Sequence, residues 1–323
     1  MITVYVPGPG GLAPLDPPPQ TLPDDLVWID MNRPNPGEEA AVEAYFGVDV
    51  PTHEERVEIE QSSRLYEEDG ALFMSATILC GAQTGRPETT VVTFILKDTR
   101  LVTVRYDDPT AFTIARQRAI KAGPEAQEGK ATLIVVLDAI VDRIADVLEF
   151  AGADADRLSR EIFDTQKPGE PVRDYEEIIR GLGRLGTKLS KIHESLVSLS
   201  RLFQFLSTRE KKLSLSNSDK AQIKSLMRDA RSLYEFAASL DNKVSFLLEA
   251  TLGLVNLQQN QTIKIFSVLA VVFMPPTLIA SLYGMNFDLM PELHWKLGYP
   301  LAVLAMVASA VGTWSFFRWK RWL

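Results

Sequence analysis

"IFSVLAVVFMPPTLIASLYGMNF", Ile265–Phe287, carries no formal charge, and a second uncharged run, "LGYPLAVLAMVASAVGTWSFF", follows at Leu297–Phe317. A helix needs about 20 predominantly apolar residues to cross a bilayer, and both runs reach that length. Two such runs side by side argue for a pair of membrane spans rather than core helices of a soluble domain. Their flanks set the orientation. Lys264 precedes the first run, and Arg318, Lys320 and Arg321 follow the second, whereas the connecting "DLMPELHWK" offers Lys296 against Asp288 and Glu292. The positive-inside rule predicts both termini in the cytoplasm and the loop outside. Trp314, Trp319 and Trp322 suit the interfacial aromatic belt.

Upstream of the first span, no proline occurs between Ser218 and Met274. Ile223, Leu226, Ala230, Leu233, Ala237, Leu240, Val244, Leu247, Thr251 and Leu254 recur at alternating steps of three and four, the signature of a helical seam. A helix continuous from there through Tyr283 would be on the order of 100 Å long. Two earlier helices carry the same alternation. One runs through Leu133, Leu137, Ile140, Ile144, Val147 and Ala151, the other from Ile178 to Leu206, with "DTQKPGEP" as a plausible antiparallel turn between them.

The N-terminal part reads differently. "ITVYVP", "LVWIDM", "ALFMSATIL", "TTVVTFILK" and "RLVTVRYD" are strand-like, "GEEAAVEAYF" is helical, and a further short helix is expected near "THEERVEIEQ". The Pro-rich "PGPGGLAPLDPPPQ" is expected to be an extended, irregular loop. The expected fold is an α+β membrane protein. Its parts are a cytosolic α/β domain over 1–128, a cytosolic helical hairpin over 129–212, a stalk helix over 213–264, a first span over 265–287, an external loop over 288–296, a second span over 297–317 and a basic cytosolic tail over 318–323.

Composition narrows the function. The net charge of −8 and the lack of a basic, aromatic-rich stripe argue against nucleic acid. The N-terminus has no basic segment followed by an apolar core, so it does not read as a secretory signal. Cys80 is alone, which excludes a disulfide framework and a thiolate metal site. "GLGRLG", Gly181–Gly186, matches a dinucleotide fingerprint only formally, because it lies inside a helical seam with no strand before it. His53, His193 and His294 are scattered, and neither a nucleophile–base grouping nor a Walker loop is present. The chain does not read as an enzyme, and no cofactor is expected.

The seam changes character at "NLQQNQTIK", where the helix becomes polar nearly all round just before the span. Continuing one face from Asn256 gives Asn260, Ile263, Ser267, Ala270, Met274, Thr277 and Ser281. Such a face suits the wall of an aqueous path, although small residues also let membrane helices pack closely. Two spans per chain cannot enclose a pore, so the pore reading requires several copies around the first span, with cyclic symmetry the natural arrangement. Pro275-Pro276 frees carbonyls near Val271 and Val272, which reads either as a gating element or as a static bend.

At the outer end, "YGMNF" places Gly284, Met285 and Asn286 at the membrane edge without a charge. Mg²⁺ holds its inner waters tightly. A ring of carboxylates would hold such an ion too long to conduct it, whereas a ring of Asn carbonyls accepts hydrogen bonds from the ion's own waters and lets it go. Gly284 allows a tight turn or close approach. Asp288 and Glu292, one step outside, would raise the local cation concentration.

"YGMNF", followed by "MPEL" (Met290–Leu293), "GYP" (Gly298–Pro300) and a basic tail, resembles the CorA magnesium transporters, as do "FMPPTLIASLYGMNF" and "LVTVRY" (Leu101–Tyr106). That resemblance implies a homopentameric channel for Mg²⁺, often also Co²⁺ and Ni²⁺, in the bacterial inner membrane. It also implies that Gly284, Met285 and Asn286 form the outer selectivity site, with Asn286 touching the ion through its waters. Asn260, Ile263, Met274 and Thr277 match the pore-lining positions. Members of the family are inhibited by Mg²⁺ bound to acids between cytosolic subunits; Asp138, Asp142, Asp146, Glu149, Asp154 and Asp156 are candidates along one helix. The alternatives are a Zn²⁺ transporter on the same scaffold and a membrane-anchored coiled-coil scaffold.

Overall fold

The structure, a computed structural model, describes residues 1–16, 19, 21–52, 64–81, 87–123, 127–164, 173–285, 290 and 295–320. The chain divides into two compact units, Met1–Leu248 and Glu249–Leu323.

The first unit is built on a mixed sheet. Its described strands are β1 (Ile2–Gly8), β2 (Gly11–Leu15), β3 (Trp28–Asn32), β4 (Leu65–Glu68), β5 (Ala71–Cys80), β6 (Glu88–Lys97) and β7 (Arg100–Arg105), ordered β2-β1-β3-β7-β6-β5-β4. β3 and β7 run parallel and the other neighbours antiparallel. The β-branched runs form the long β5–β6 pair, in register from Ala71 opposite Lys97 to Cys80 opposite Glu88. One expectation fails here. The Pro-rich segment contains β2, which pairs with β1 and sets Pro14 opposite Tyr5. Proline lacks a backbone donor but is tolerated on an edge strand, and β2 is the edge of this sheet. The helix expected near Thr52–Gln61 falls mostly on residues outside those described, as does most of the turn expected at Asp164–Pro171.

Alternation along the central strands sorts their side chains to two faces. Ile29, Met31, Val102 and Val104 join Val42 and Phe46 of α1 (Pro36–Phe46) in one apolar cluster. That helix starts at a capping box between Asn35 and Glu38 and stops at Gly47, whose φ of 59° favours glycine. On the other face Trp28, Asp30, Thr103 and Arg105 are fully buried toward α2 (Thr110–Lys121). Asp30 receives Arg105 through two bonds of 2.9 Å, one to each carboxylate oxygen, and a third 2.9 Å bond from the Thr103 hydroxyl. The Trp28 indole donates to Thr103 at 3.0 Å, and the Arg105 guanidinium lies 4.8 Å from the Phe112 ring centroid. Burial of this pair is tolerable because nearly every polar atom finds a partner.

The same face supports α3 (Gly129–Phe163) and α4 (Tyr175–Ser207). Every residue of the two expected seams on these helices is buried. At Gly129 an added Cβ would lie 2.5 Å from the Arg100 carbonyl carbon, so only glycine lets α3 start against the β6–β7 turn. Gly181 lets α4 approach Leu158 of α3, since a Cβ there would sit 3.2 Å from that side chain. "GLGRLG" thus lies within a continuous helix and serves helix packing.

Ser216 and Asp219 cap the start of α5 (Asn217–Tyr283), which continues without interruption through Pro275 and Pro276. Ile223, Leu226, Ala230, Ala237, Leu240, Val244 and Leu247 are buried along its first part. Burial ends with the seam: from Asn256 to Ser267 every residue is exposed. The second unit consists of the end of α5 and α6 (Gly298–Trp319).

Candidate ion-conduction site

Both α5 and α6 are long and apolar enough to cross a membrane. Their large side chains lie open, with Phe266 and Leu278 on α5 and Leu304 on α6 each 66 % exposed. Apolar surface of that extent marks helices that meet lipid or another protein surface rather than water. At the far end of α6 the Arg318 guanidinium lies 5.1 Å from the Trp314 ring, and Lys320 lies 5.6 Å from Trp319. These cation–π pairs join the charge and aromatic surface found where a span meets the headgroups.

The end of α5 has two unlike faces. Val268 is buried, and Val272, Pro275, Pro276 and Ile279 are half-buried. Asn256, Asn260, Ile263, Ser267, Ala270, Met274, Thr277 and Ser281 are all exposed. At about 100° per residue the two sets lie on opposite sides of the helix. A matching half-buried stripe on α6 runs through Ala302, Met306, Ser309, Ala310, Thr313 and Phe317. Within the apolar part of α5 the covered stripe thus lies opposite Ala270, Met274, Thr277 and Ser281, while Phe266, Leu269, Phe273 and Leu278 are exposed as well. The covered stripe was missed, though its steps of four and three were there to read.

Hydroxyl geometry adds a chemical property to the open face. Ser267 Oγ donates to the Ile263 carbonyl at 2.8 Å, and Thr277 Oγ1 donates to the Phe273 carbonyl at 2.7 Å. Thr262 does the same with Gln258 at 3.0 Å. Each hydroxyl proton is engaged by the backbone one turn back, so the oxygen lone pairs are what remain for a neighbour. A face of oxygen acceptors suits a hydrated cation, whose waters are donors.

At the end of α5 the Gly284 N–H donates to the Ala280 carbonyl at 2.9 Å and the Met285 N–H to the Leu282 carbonyl at 3.4 Å, closing the helix. A Cβ on Gly284 would lie 3.0 Å from the Ala280 oxygen, so a side chain there would have to displace that carbonyl slightly. Met285 is exposed. Asn286, Asp288 and Glu292 lie outside the described residues, as do His53, His294 and Trp322.

The acids of α3 are mostly engaged within the chain. Arg118 bridges Asp138 and Asp142 at 2.7 Å each, Asp146 meets Arg143, Asp154 meets Arg157 and Lys188, and Asp156 meets Lys243. Burial, followed by the Asp142 charge, holds the Asp138 carboxyl above its usual range, against the opposing pull of Arg118. Among the described residues no group of three or more His, Cys, Asp or Glu side chains is placed to hold a metal ion.

The sequence matches the family described as CorA-like Mg²⁺ transporter protein over residues 23–321. The chain belongs to that family. It is 33 % identical to the magnesium transport protein CorA of Salmonella typhimurium over 299 residues, covering 93 % of this chain and 92 % of the relative. Its identity to the Escherichia coli K12 protein of the same name is 34 % over the same coverage. The complete structure of the CorA magnesium transporter from Methanocaldococcus jannaschii superposes with a TM-score of 0.77 at 19 % identity, covering 100 % of this chain and 99 % of that one. This shared architecture places the long helix α5 and the apolar helix α6 of the present CorA-family chain within a known fold.

Proposed function

We propose that this chain forms a passive, gated channel that admits Mg²⁺ down the membrane potential. The observation that carries the reading is the exposed line on α5 from Asn256 to Ser281, which carries the Asn256 and Asn260 amides and the back-bonded hydroxyls of Ser267 and Thr277, and which from Ala270 on faces away from the stripe its own chain covers. One such face cannot enclose a path. Copies arranged cyclically can, and we take the assembly to be a homopentamer as the family resemblance implies. The pore wall then comprises Asn256, Asn260, Ile263, Ser267, Ala270, Met274, Thr277 and Ser281. Gly284, Met285 and Asn286 form the outer selectivity site, and Asp288 and Glu292 gather cations before it.

In this arrangement residues 1–128 and 129–212 are cytosolic, the stalk of 213–264 links them to spans at 265–287 and 297–317, and residues 288–296 form the external loop. The basic tail 318–323 and the N-terminus both lie on the cytoplasmic side of a bacterial inner membrane. No chemical energy source is needed. An elementary charge crossing 100 mV gains about 2.3 kcal/mol, so Mg²⁺ gains about twice that. Asn286 recognises the ion through its hydration shell, because neutral carbonyl dipoles bind the waters without removing them. Cytosolic Mg²⁺ closes the pore as feedback. Asp138, Asp142, Asp146, Asp154 and Asp156 already meet basic groups of their own chain, so a regulatory ion would draw on acids from neighbouring copies.

Proteoliposomes containing the full chain and an internal Mg²⁺ dye test this reading. Imposing an inside-negative potential should drive Mg²⁺ entry, with Co²⁺ and Ni²⁺ competing. Absence of potential-driven entry would refute the channel, and Zn²⁺ entry in preference to Mg²⁺ would reassign the ion.

A further inference from the structure

In the first unit a cavity of about 380 Å³ opens between β5, α4 and α5. Arg64, just before β4, and Arg201 on α4 both line it, together with Thr77, His193, Ser198 and Tyr234. Two guanidiniums converging on one cavity is unusual in a chain of net charge −8. Burial holds the Arg64 guanidinium below its ordinary range; Glu194 opposes that shift and the charge of Arg201 adds to it. Glu194, the acid on the rim, already meets Lys191 at 3.1 Å and the Thr89 hydroxyl at 3.4 Å. Arg201 makes no hydrogen bond or ion pair with any described residue, so its donors are available.

The neutral groups point the same way. Ser198 Oγ accepts from the Thr77 N–H at 2.8 Å, which leaves its own proton free to donate. His193 Nε2 is buried without a hydrogen-bond partner, although His193 lines the cavity. Guanidinium forks with hydroxyl donors suit a dianion bearing several oxygens better than a single carboxylate. The rest of the lining is not suited to a bare inorganic ion. Leu65, Val197 and the Tyr234 ring supply apolar surface, and Tyr234 is 42 % exposed and meets His193 edge-on with centroids 5.0 Å apart. A second cavity of about 380 Å³ shares Val197, Arg201 and Tyr234 and continues toward Met227 and Arg231. The volumes fall in the range of small-molecule sites, roughly 300–1,000 Å³.

We propose that this two-lobed groove binds a nucleoside phosphate, its phosphate between Arg64 and Arg201 and its base against Tyr234. Arg201 supplies the free fork, Arg64 a fork fixed by its 3.2 Å bond to Thr77 Oγ1, and Tyr234 the stacking face. The site is independent of the conduction face and lies wholly within the first unit.

Equilibrium dialysis of the full chain in detergent, with EDTA present and radiolabelled AMP as probe, tests the assignment. Saturable binding at one AMP per chain is expected, with inorganic phosphate and adenosine each competing at least about tenfold more weakly. Arg201→Gln should weaken AMP binding about tenfold or more without shifting the melting temperature, because the side chain has no hydrogen-bond or ion-pair partner among the described residues. Arg201→Lys should recover only part, and Tyr234→Ala should weaken AMP but not inorganic phosphate. No saturable binding up to about 1 mM, or unchanged binding in Arg201→Gln, would overturn the proposal. Equal affinity for AMP and inorganic phosphate would overturn the base pocket, and equal affinity for AMP and adenosine would overturn the phosphate pocket.

Discussion

Removing the Asp30 carboxylate should be among the most damaging single changes in the first unit. In Asp30→Ala, Arg105 loses both of its 2.9 Å bonds to that side chain and Thr103 loses a third. Arg105 and Asp30 are each 1 % exposed, so water cannot replace what is removed. Arg116, 3.7 Å from the same carboxylate, would then face Arg105 without the intervening charge. Arg105 keeps its 2.6 Å pair with Asp108 and its 2.9 Å bond to the Asp107 carbonyl through Nη1, but its Nε and Nη2 are left buried without the carboxylate. Breaking one side of a buried ion pair costs about 3–5 kcal/mol. For a domain of 150–250 residues each kcal/mol lowers the midpoint by about 2–4 °C, so the drop should be about 6–20 °C. Thermal unfolding of the full chain in detergent, followed by near-UV circular dichroism, measures it. Trp28 reports directly, being stacked on Tyr5 at 4.5 Å and bonded into the network through Thr103. The double variant Asp30→Leu/Arg105→Met should recover most of the loss, since a packed apolar pair avoids the desolvation cost. A drop below about 1 kcal/mol in Asp30→Ala would show that the pair is not desolvated, which would refute the reasoning.

Three further outcomes follow from particular side chains. Burial, with a smaller contribution from Asp30, pushes the Tyr5 phenol up to about 12. A folded value above the unfolded one of about 10 means that its stabilisation is complete below about pH 10 and lost as pH rises toward about 12. Tyr5→Phe should therefore flatten the alkaline limb of the stability curve, and an unchanged limb would assign the loss elsewhere. Cys80, the single thiol, is pushed up to about 11 by burial, helped by Asp107 and Glu88. Its native reaction with Ellman's reagent at neutral pH should be about a hundredfold slower than in the unfolded chain, and equal rates would contradict the shift. Thr277→Val removes the oxygen of the open face while keeping the side chain's shape. Helix content should hold and Mg²⁺ flux should fall about two- to twelvefold, the worth of one hydrogen bond; undiminished flux would take Thr277 off the ion path.

Where the sequence was legible, one rule of spacing was enough. Charge-free length marked both apolar helices, and steps of three and four marked the seams whose residues are buried on α3 and α4. The long strands declared themselves through β-branched runs. Short or edge elements did not. β2 hides in a Pro-rich segment because an edge strand tolerates residues that a central strand excludes. β4 offers only four residues, Leu65–Glu68, too few for a period to show. The Asp30–Arg105 pair was invisible for another reason. Its members are 75 residues apart and meet only because β3 and β7 lie side by side in parallel. On the proposed conduction face the residue types were legible in the sequence, while the structure added the covered stripe from Val268 on and the hydroxyls bonded back to the helix.

The central claim is that a neutral oxygen dipole at the outer mouth selects a hydrated Mg²⁺. Its most direct test compares Mg²⁺ entry into proteoliposomes for the parent chain and Asn286→Ala under the same inside-negative potential, with assembly verified by sedimentation. The account predicts that flux is abolished or severely reduced while the assembly is unchanged. Near-normal flux through a correctly assembled Asn286→Ala channel would contradict it.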